Sequence, residues 1–325
     1  MSVTIDSNKI RIVQTLLGIT PSNGVYDEHT KAAVKNYNLR YGNGSSDVLT
    51  DAVYESITQR LGSDNEALSK LETEIYSDTS KSEDSDSTTD ISETDAAFEL
   101  FMLDSDEYVT SNGKVPKKEY LFLHHTSGWS NPYNTITDWN SDSRGRIGTH
   151  YVIGGHDIKT GKSDHDGRIL KCIPDDYFGW HLGSTSKDGI SMHMHVHSIG
   201  IEICNMGYLT QKGSAFYTYT GVRVPDANIV DLGFKFRGYQ YWHKYTENQI
   251  ESLYALIKSI EKKTGINTDL GLKAWISKVG AAKAFEFNQS ARDGKVKGLL
   301  SHTNVRKDKS DVSPQKLLVE MINSL

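Results

Sequence analysis

A chain of 325 residues is long enough for two domains. Its 37% hydrophobic content allows a core, but no run approaches the roughly 18 apolar residues of a transmembrane helix, so no such helix and no membrane insertion are expected. The net charge of −6 is local: nine acidic residues and one lysine lie between Glu72 and Asp95, the rest is close to neutral, and no basic patch invites nucleic acid.

The opening residues MSVTIDSNKIRIV lack a basic segment followed by an apolar one, so synthesis in the cytoplasm without a secretory signal is expected. Ile10, Val13 and Leu17 recur at helical spacing, with Gly18 where a C-cap belongs. A second helix is predicted around Thr30 to Tyr37, with Ala33, Val34 and Tyr37 inward. A third is predicted over Asp51 to Leu61, with Val53, Ile57 and Leu61 on one stripe and Gly62 closing it. The pattern VQTLLGIT…GVYDEHTKAAVKNYN resembles the small three-helix peptidoglycan-binding domains found on cell-wall enzymes. After Arg40 the stretch YGNGSSDVL departs from that pattern. A helical docking module is the competing reading of the same residues.

Thr73 to Asp95 is mostly Ser, Thr, Asp and Glu, too polar and too charged to repay chain entropy by burial, and is expected to be an extended linker. The expected organisation is a helical domain over 1–68, a linker over 69–97 and a larger domain over 98–325.

Beyond the linker, strand-like runs are predicted at Tyr120–His125, Thr149–Gly154, Arg168–Ile173 and Ser198–Cys204. Cys172 and Cys204 lie in such apolar runs and are expected to be buried free thiols. Thr246 and Gln249 form a capping-box signature ahead of a helix to Lys263, and a further helix is predicted over Leu272–Val279. Strands mixed with long helices imply an α/β (α+β) domain, beside the small all-helical one. Tyr208 to Lys244 is rich in aromatics and reads as a packed hairpin in preference to a groove wall.

Three histidine groups invite chemistry. Along a strand only one of His124 and His125 can face a given site, and periodicity does not say which. His193, His195 and His197 have period-two spacing and would share a face on a strand, adequate for chelation or simply an exposed strand start. His302 and Asp311 are close enough in sequence for a loop to bring both to one ion, while Arg306, Lys307 and Asp308 between them read as solvated charges. Glu202 lies among Ile199, Ile201 and Ile203, where a carboxylate must be either paired or used as a general base.

In chain order, LHHTSG, GTHYVIGG, DGRIL, GWHLG, SIGIEICNMG and SHTNVRKDKSDVSP resemble the zinc-dependent N-acetylmuramoyl-L-alanine amidases of the type-2 family, which includes phage endolysins and is related to the peptidoglycan recognition proteins. The resemblance spans about residues 105–325 and implies a central mixed sheet flanked by helices. It implies zinc ligands at His124, His302 and Asp311, a catalytic Glu202 and an oxyanion partner at Lys309. Trp180 and His181 match the groove motif W-H-x-G, and Thr149 and Asn205 are expected beside substrate. Thr149 stands where other members carry a catalytic tyrosine, which places base catalysis on Glu202. The implied reaction is hydrolysis of the amide between the lactyl group of N-acetylmuramic acid and L-alanine by zinc-activated water, with peptidoglycan as partner and a monomer as the unit. A non-catalytic recognition protein and a zinc peptidase acting within the stem peptide are the alternatives. A wall-acting enzyme with no signal fits a phage endolysin, and a bacterial autolysin or a virion-carried enzyme fits nearly as well.

Overall fold

The computed structural model describes residues 7–17, 25–26, 28–41, 46–61, 96–104, 108–110, 117–143, 145–174 and 177–325. The chain divides into two compact units, Met1–Phe101 and Met102–Leu325. The linker expected at Thr73–Asp95, and the capping glycines Gly18 and Gly62, lie outside the described residues.

In the first unit three helices form: α1 (Ser7–Leu16), α2 (Glu28–Arg40) and α3 (Asp51–Leu61). Their apolar stripes meet in one core containing Val13, Leu16, Leu17, Ala33, Val34, Tyr37 and Ile57, with Val53 partly buried against it. The buried Gln14 amide donates to Val25 O at 3.0 Å and to Thr30 Oγ1 at 3.0 Å. These bonds satisfy a polar group inside a core too small to absorb an unpaired one.

The second unit is built on a mixed sheet. Its strands are β1 (Tyr120–His125), β2 (Tyr151–Ile153), β3 (Ile169–Lys171), β4 (Ser198–Ile203) and β10 (Gly298–Ser301). Within this unit they lie in the order β3-β2-β4-β1-β10. β2, β4, β1 and β10 run parallel, and β3 is antiparallel to β2. Helix α4 (Pro132–Asn140) follows β1, and the short helix α5 (Met192–Val196) precedes β4. Between β4 and the next long helix, β5 (Leu209–Lys212), β6 (Ala215–Thr218) and β7 (Arg223–Val224) form a three-stranded antiparallel sheet, and β8 (Ile229–Phe236) pairs with β9 (Tyr239–His243). This aromatic segment is packed structure: Trp242 is fully buried and Tyr208 stacks on Tyr239 at 3.7 Å.

Helix α6 (Glu247–Thr264) starts at the Thr246/Gln249 capping box and ends at Gly265, whose φ of 71° is the left-handed cap conformation. The Gln249 amide also donates to Cys204 O at 2.8 Å, tying the helix start to the end of β4. Helices α7 (Leu272–Val279) and α9 (Lys316–Ser324) complete the layer, and α8 (His302–Val305) follows β10 directly. Both cysteines are buried and free. Among the described residues no helix is long and apolar enough to cross a membrane.

Candidate active site

Parallel strands place their carboxyl ends together, and open sheets of this kind put functional groups there. The register pairs His124 of β1 with Glu202 of β4, so both side chains emerge on one face at one level. On the other flank Leu123 pairs with Ser301, which brings His302, the first residue of α8, level with His124. The chain then folds back to Asp311, whose carbonyl accepts from Thr303 N at 3.2 Å.

The result is a tight triangle: His124 Nδ1 to His302 Nδ1 is 3.1 Å, His302 Nδ1 to Asp311 Oδ2 is 3.1 Å, and His124 Nδ1 to Asp311 Oδ2 is 3.3 Å. His125 turns to the opposite face, against Tyr245 Oη at 3.3 Å and the Trp242 ring. The ambiguity between the two histidines is thus decided by register.

Hydrogen bonding fixes which nitrogen of His124 is bare. Ser198 Oγ donates to His195 O at 3.1 Å, which spends its only proton, so it accepts from His181 Nε2 at 2.8 Å. His181 Nδ1 is then an acceptor, and takes the Nε2 proton of His124 at 3.0 Å. His124 Nδ1 is therefore left with a lone pair aimed at His302 Nδ1 and Asp311. This is the support that holds a metal-ligating imidazole in one tautomer. Burial, ahead of the neighbouring charges, depresses His124 to about 4 and pushes His181 well below the ordinary histidine range, so both rings are neutral at pH 7. Burial would raise the Asp311 carboxyl, but His302 beside it outweighs this and holds it well below the usual carboxylate range. Two imidazoles and a carboxylate converging on one point form a donor set that suits zinc. Zn–N and Zn–O bonds of about 2.0–2.1 Å in a tetrahedron imply ligand atoms roughly 3.3 Å apart, close to the triangle observed.

Above the triangle lies a cleft of about 510 Å³, lined among others by Trp139, Thr149, Trp180, His181, Glu202 and Lys309. Glu202 is only 8% exposed. Burial first, then the Asp311 charge, lifts its carboxyl well above the ordinary range, with Lys309 opposing. Gly200, two residues before it, gives room: a Cβ there would crowd the His181 ring and the Thr149 methyl at 3.0 Å each. Thr149 is buried and its hydroxyl donates to Tyr151 O at 2.9 Å.

Three expectations need correcting. Asn205 does not line the cleft: its amide donates to His243 O at 3.1 Å and Lys244 O at 3.3 Å, and its oxygen accepts from Gly207 N at 2.9 Å. It shapes the turn after β4. Residues 193–197 do not form a strand: Ser191 caps α5, which ends at His197, so His195 turns inward, fully buried and 4.9 Å from the Trp180 ring, while His193 and His197 stack outside. Arg306 is not a solvated loop charge. Its guanidinium is buried, bonding Asp308 in two places at 2.8 and 2.6 Å, Asp188 at 2.7 Å and Leu182 O at 3.3 Å.

Arg306 thus clamps the start of the 306–311 loop to the Leu182–Asp188 segment behind the cleft. The Arg306→Ala variant is expected to lose about 1–3 kcal/mol of stability, measured by denaturant unfolding. The bond to Arg306 holds the Asp308 carboxyl at about 2. A depressed carboxyl contributes stability above its unfolded pKa and loses it as pH falls through the folded one. The difference between Arg306→Ala and the parent should therefore be full above about pH 4 and shrink towards pH 2. A difference independent of pH across that window would refute the clamp.

Residues 113–311 match the family model described as N-acetylmuramoyl-L-alanine amidase. The chain belongs to the N-acetylmuramoyl-L-alanine amidase family. No curated protein matches the sequence. Among solved structures, the amidase AmiD from E. coli is 18% identical over 50% of this chain and 49% of its own, with a TM-score of 0.30. The chain thus spans about half the length of that enzyme. An AmpD structure is 15% identical over 70% of this chain and 94% of its own, with a TM-score of 0.39. The endolysin amidase LysCS from Clostridium intestinale is 15% identical over 64% and 82%, with a TM-score of 0.33. At these scores the assignment rests on the family match.

Proposed function

We propose that the second unit hydrolyses the amide joining the lactyl group of N-acetylmuramic acid to L-alanine, with zinc held by His124, His302 and Asp311. The observation that carries this reading is the triangle of ligand atoms at the floor of a cleft, with the buried Glu202 carboxyl beside it. When bound, zinc supplies Lewis acidity that polarises a carbonyl and makes water nucleophilic near neutral pH. Glu202, facing the cleft in a site that disfavours its charge, takes a proton from the attacking water and delivers it to the departing amino group of L-alanine. Lys309 lines the same cleft and offers a cation to the oxyanion, a contribution of about 3 kcal/mol for one well-placed donor. His181 and Ser198 keep His124 in its tautomer, and Trp180 gives the substrate a flat apolar wall.

A digest of purified peptidoglycan should release new L-alanine amino termini without new reducing ends. New reducing ends would mean a glycosidase, and fragments cut between stem residues a zinc peptidase. We further propose that residues 1–68 bind the wall, on the three-helix core and the sequence resemblance. Deleting them should weaken co-sedimentation with sacculi at unchanged turnover of a soluble muropeptide. Equal co-sedimentation would leave the unit as a docking module of another kind.

A further inference from the structure

At the opposite end of the sheet a second set of donors converges. Glu119 immediately precedes β1, and His197 immediately precedes β4, so both sit where the parallel strands begin. The six-residue length of β1 separates them from His124 by roughly 16 Å at 3.3 Å per residue. His193 and His197 stand four residues apart on α5 and its cap, on one face of the turn, with ring centroids 4.1 Å apart. Ligand atoms from Glu119, His193 and His197 all lie within 4.8 Å of one another.

Two of the three donors are oriented by partners outside the group that leave a metal-facing atom available. His197 Nδ1 lies 2.6 Å from Lys117 O, a backbone acceptor, so Nδ1 carries the proton and Nε2 keeps its lone pair. Glu119 gives Oε1 to Lys297 at 2.6 Å and turns Oε2 towards His193 Nε2 at 3.1 Å. Beside it, Lys118 anchors the strand start by donating to Tyr177 O at 2.9 Å and Val196 O at 3.0 Å, which fixes the segment carrying Glu119 against the helix carrying the histidines. The His193 side chain is 56% exposed, so an ion has an entry path and an open coordination position. Lys297 occupies the other carboxylate oxygen and need not be displaced.

We propose that Glu119, His193 and His197 form a second metal site, for a zinc-class divalent ion, which ties the segment before β1 to α5. Two imidazoles and one carboxylate are borderline donors that favour zinc, nickel or copper over magnesium or calcium. The site is independent of the amidase reading, because none of its residues lines the cleft.

Zinc content after equilibration in micromolar zinc and gel filtration decides the matter. The full chain should carry about two equivalents, His302→Ala one, His193→Gln one, and the combined variant none. His193→Gln is chosen because its ring is exposed and its only bond among these groups is to Glu119, so folding is not at risk. Peptidoglycan hydrolysis by His193→Gln should stay within about twofold of the parent. Adding zinc to His302→Ala should raise its melting temperature, and adding it to the combined variant should not. One equivalent in the parent, two retained in His193→Gln, or an equal zinc response in both backgrounds would overturn the second site. Two equivalents of which only His193→Gln removes one, with His302→Ala unaffected, would keep this site and overturn the catalytic ligand set instead.

Discussion

Replacing His302 with alanine is expected to remove one equivalent of zinc and to lower amidase turnover by on the order of 10²–10⁴-fold. The loss follows from what the metal supplies, several kcal/mol of charge stabilisation at about 1.4 kcal/mol per tenfold. His302 contributes one corner of a triangle whose sides are 3.1, 3.1 and 3.3 Å, and its removal leaves His124 and Asp311 as a two-donor site. The fold should survive. His302 opens α8, whose Ser301 cap bonds Asn304, and Asn304 in turn donates to Ala284 O and Glu286 O at 2.9 Å each, none of which involves the imidazole. Chelator treatment of the parent should reproduce the loss, and added zinc should restore the parent but not the variant. Turnover within threefold of the parent, with one zinc lost, would separate the metal from the chemistry.

Much of this site was legible because its parts are strand ends with strong local signals. YLFLHH, THYVIG and SIGIEIC became strands close to where β-rich runs bounded by Gly, Asp and Ser placed them, and the capping box at Thr246 started α6. Periodicity did not say which of His124 and His125 faces the cleft, and only the family resemblance named His124. Every residue of β1 and β4 is buried, since a parallel strand at the middle of a covered sheet has no polar face to break the symmetry. Register with β4 and β10, a long-range property, makes the choice.

The histidine run shows a local signal misread. Alternation in HMHVH matches period two, but the capping serine at Ser191 and the four-residue spacing of His193 and His197 describe one helical turn, and the helix won. Arg306 escaped because a charge in a polar loop looks solvated in sequence. Its partner Asp308 is near in the chain, whereas Asp188 and Leu182 reach it only through tertiary packing. Asn205 failed in the opposite sense: it was expected beside substrate, whereas a buried turn uses its amide for backbone groups.

The Glu202→Gln variant is expected to keep both fold and metal and to lose about 10²–10⁴-fold in turnover, the range for one general acid–base group. The change is nearly isosteric, so the Phe122, Val152 and Gly200 surroundings of the strand are undisturbed and His124 keeps its register partner. What disappears is the capacity to hold and return a proton. The carboxyl is lifted by burial and by the Asp311 charge, which brings its proton affinity closer to that of a base working near neutrality than an exposed glutamate would be. The same burial means that the ionised side chain costs stability at pH 7, where it lacks the solvation it has in the unfolded chain. A neutral amide removes that cost, so the unfolding midpoint of Glu202→Gln should be equal to or above the parent's, while its activity collapses. A structural carboxylate would behave in the opposite way, losing stability with activity. Falling turnover together with a lower midpoint and lost zinc would therefore make Glu202 a scaffold residue, and turnover near the parent's would remove it from the mechanism. The Glu202→Asp variant completes the test: it keeps the acid but withdraws it by one methylene, and should sit between the two in turnover with the metal retained.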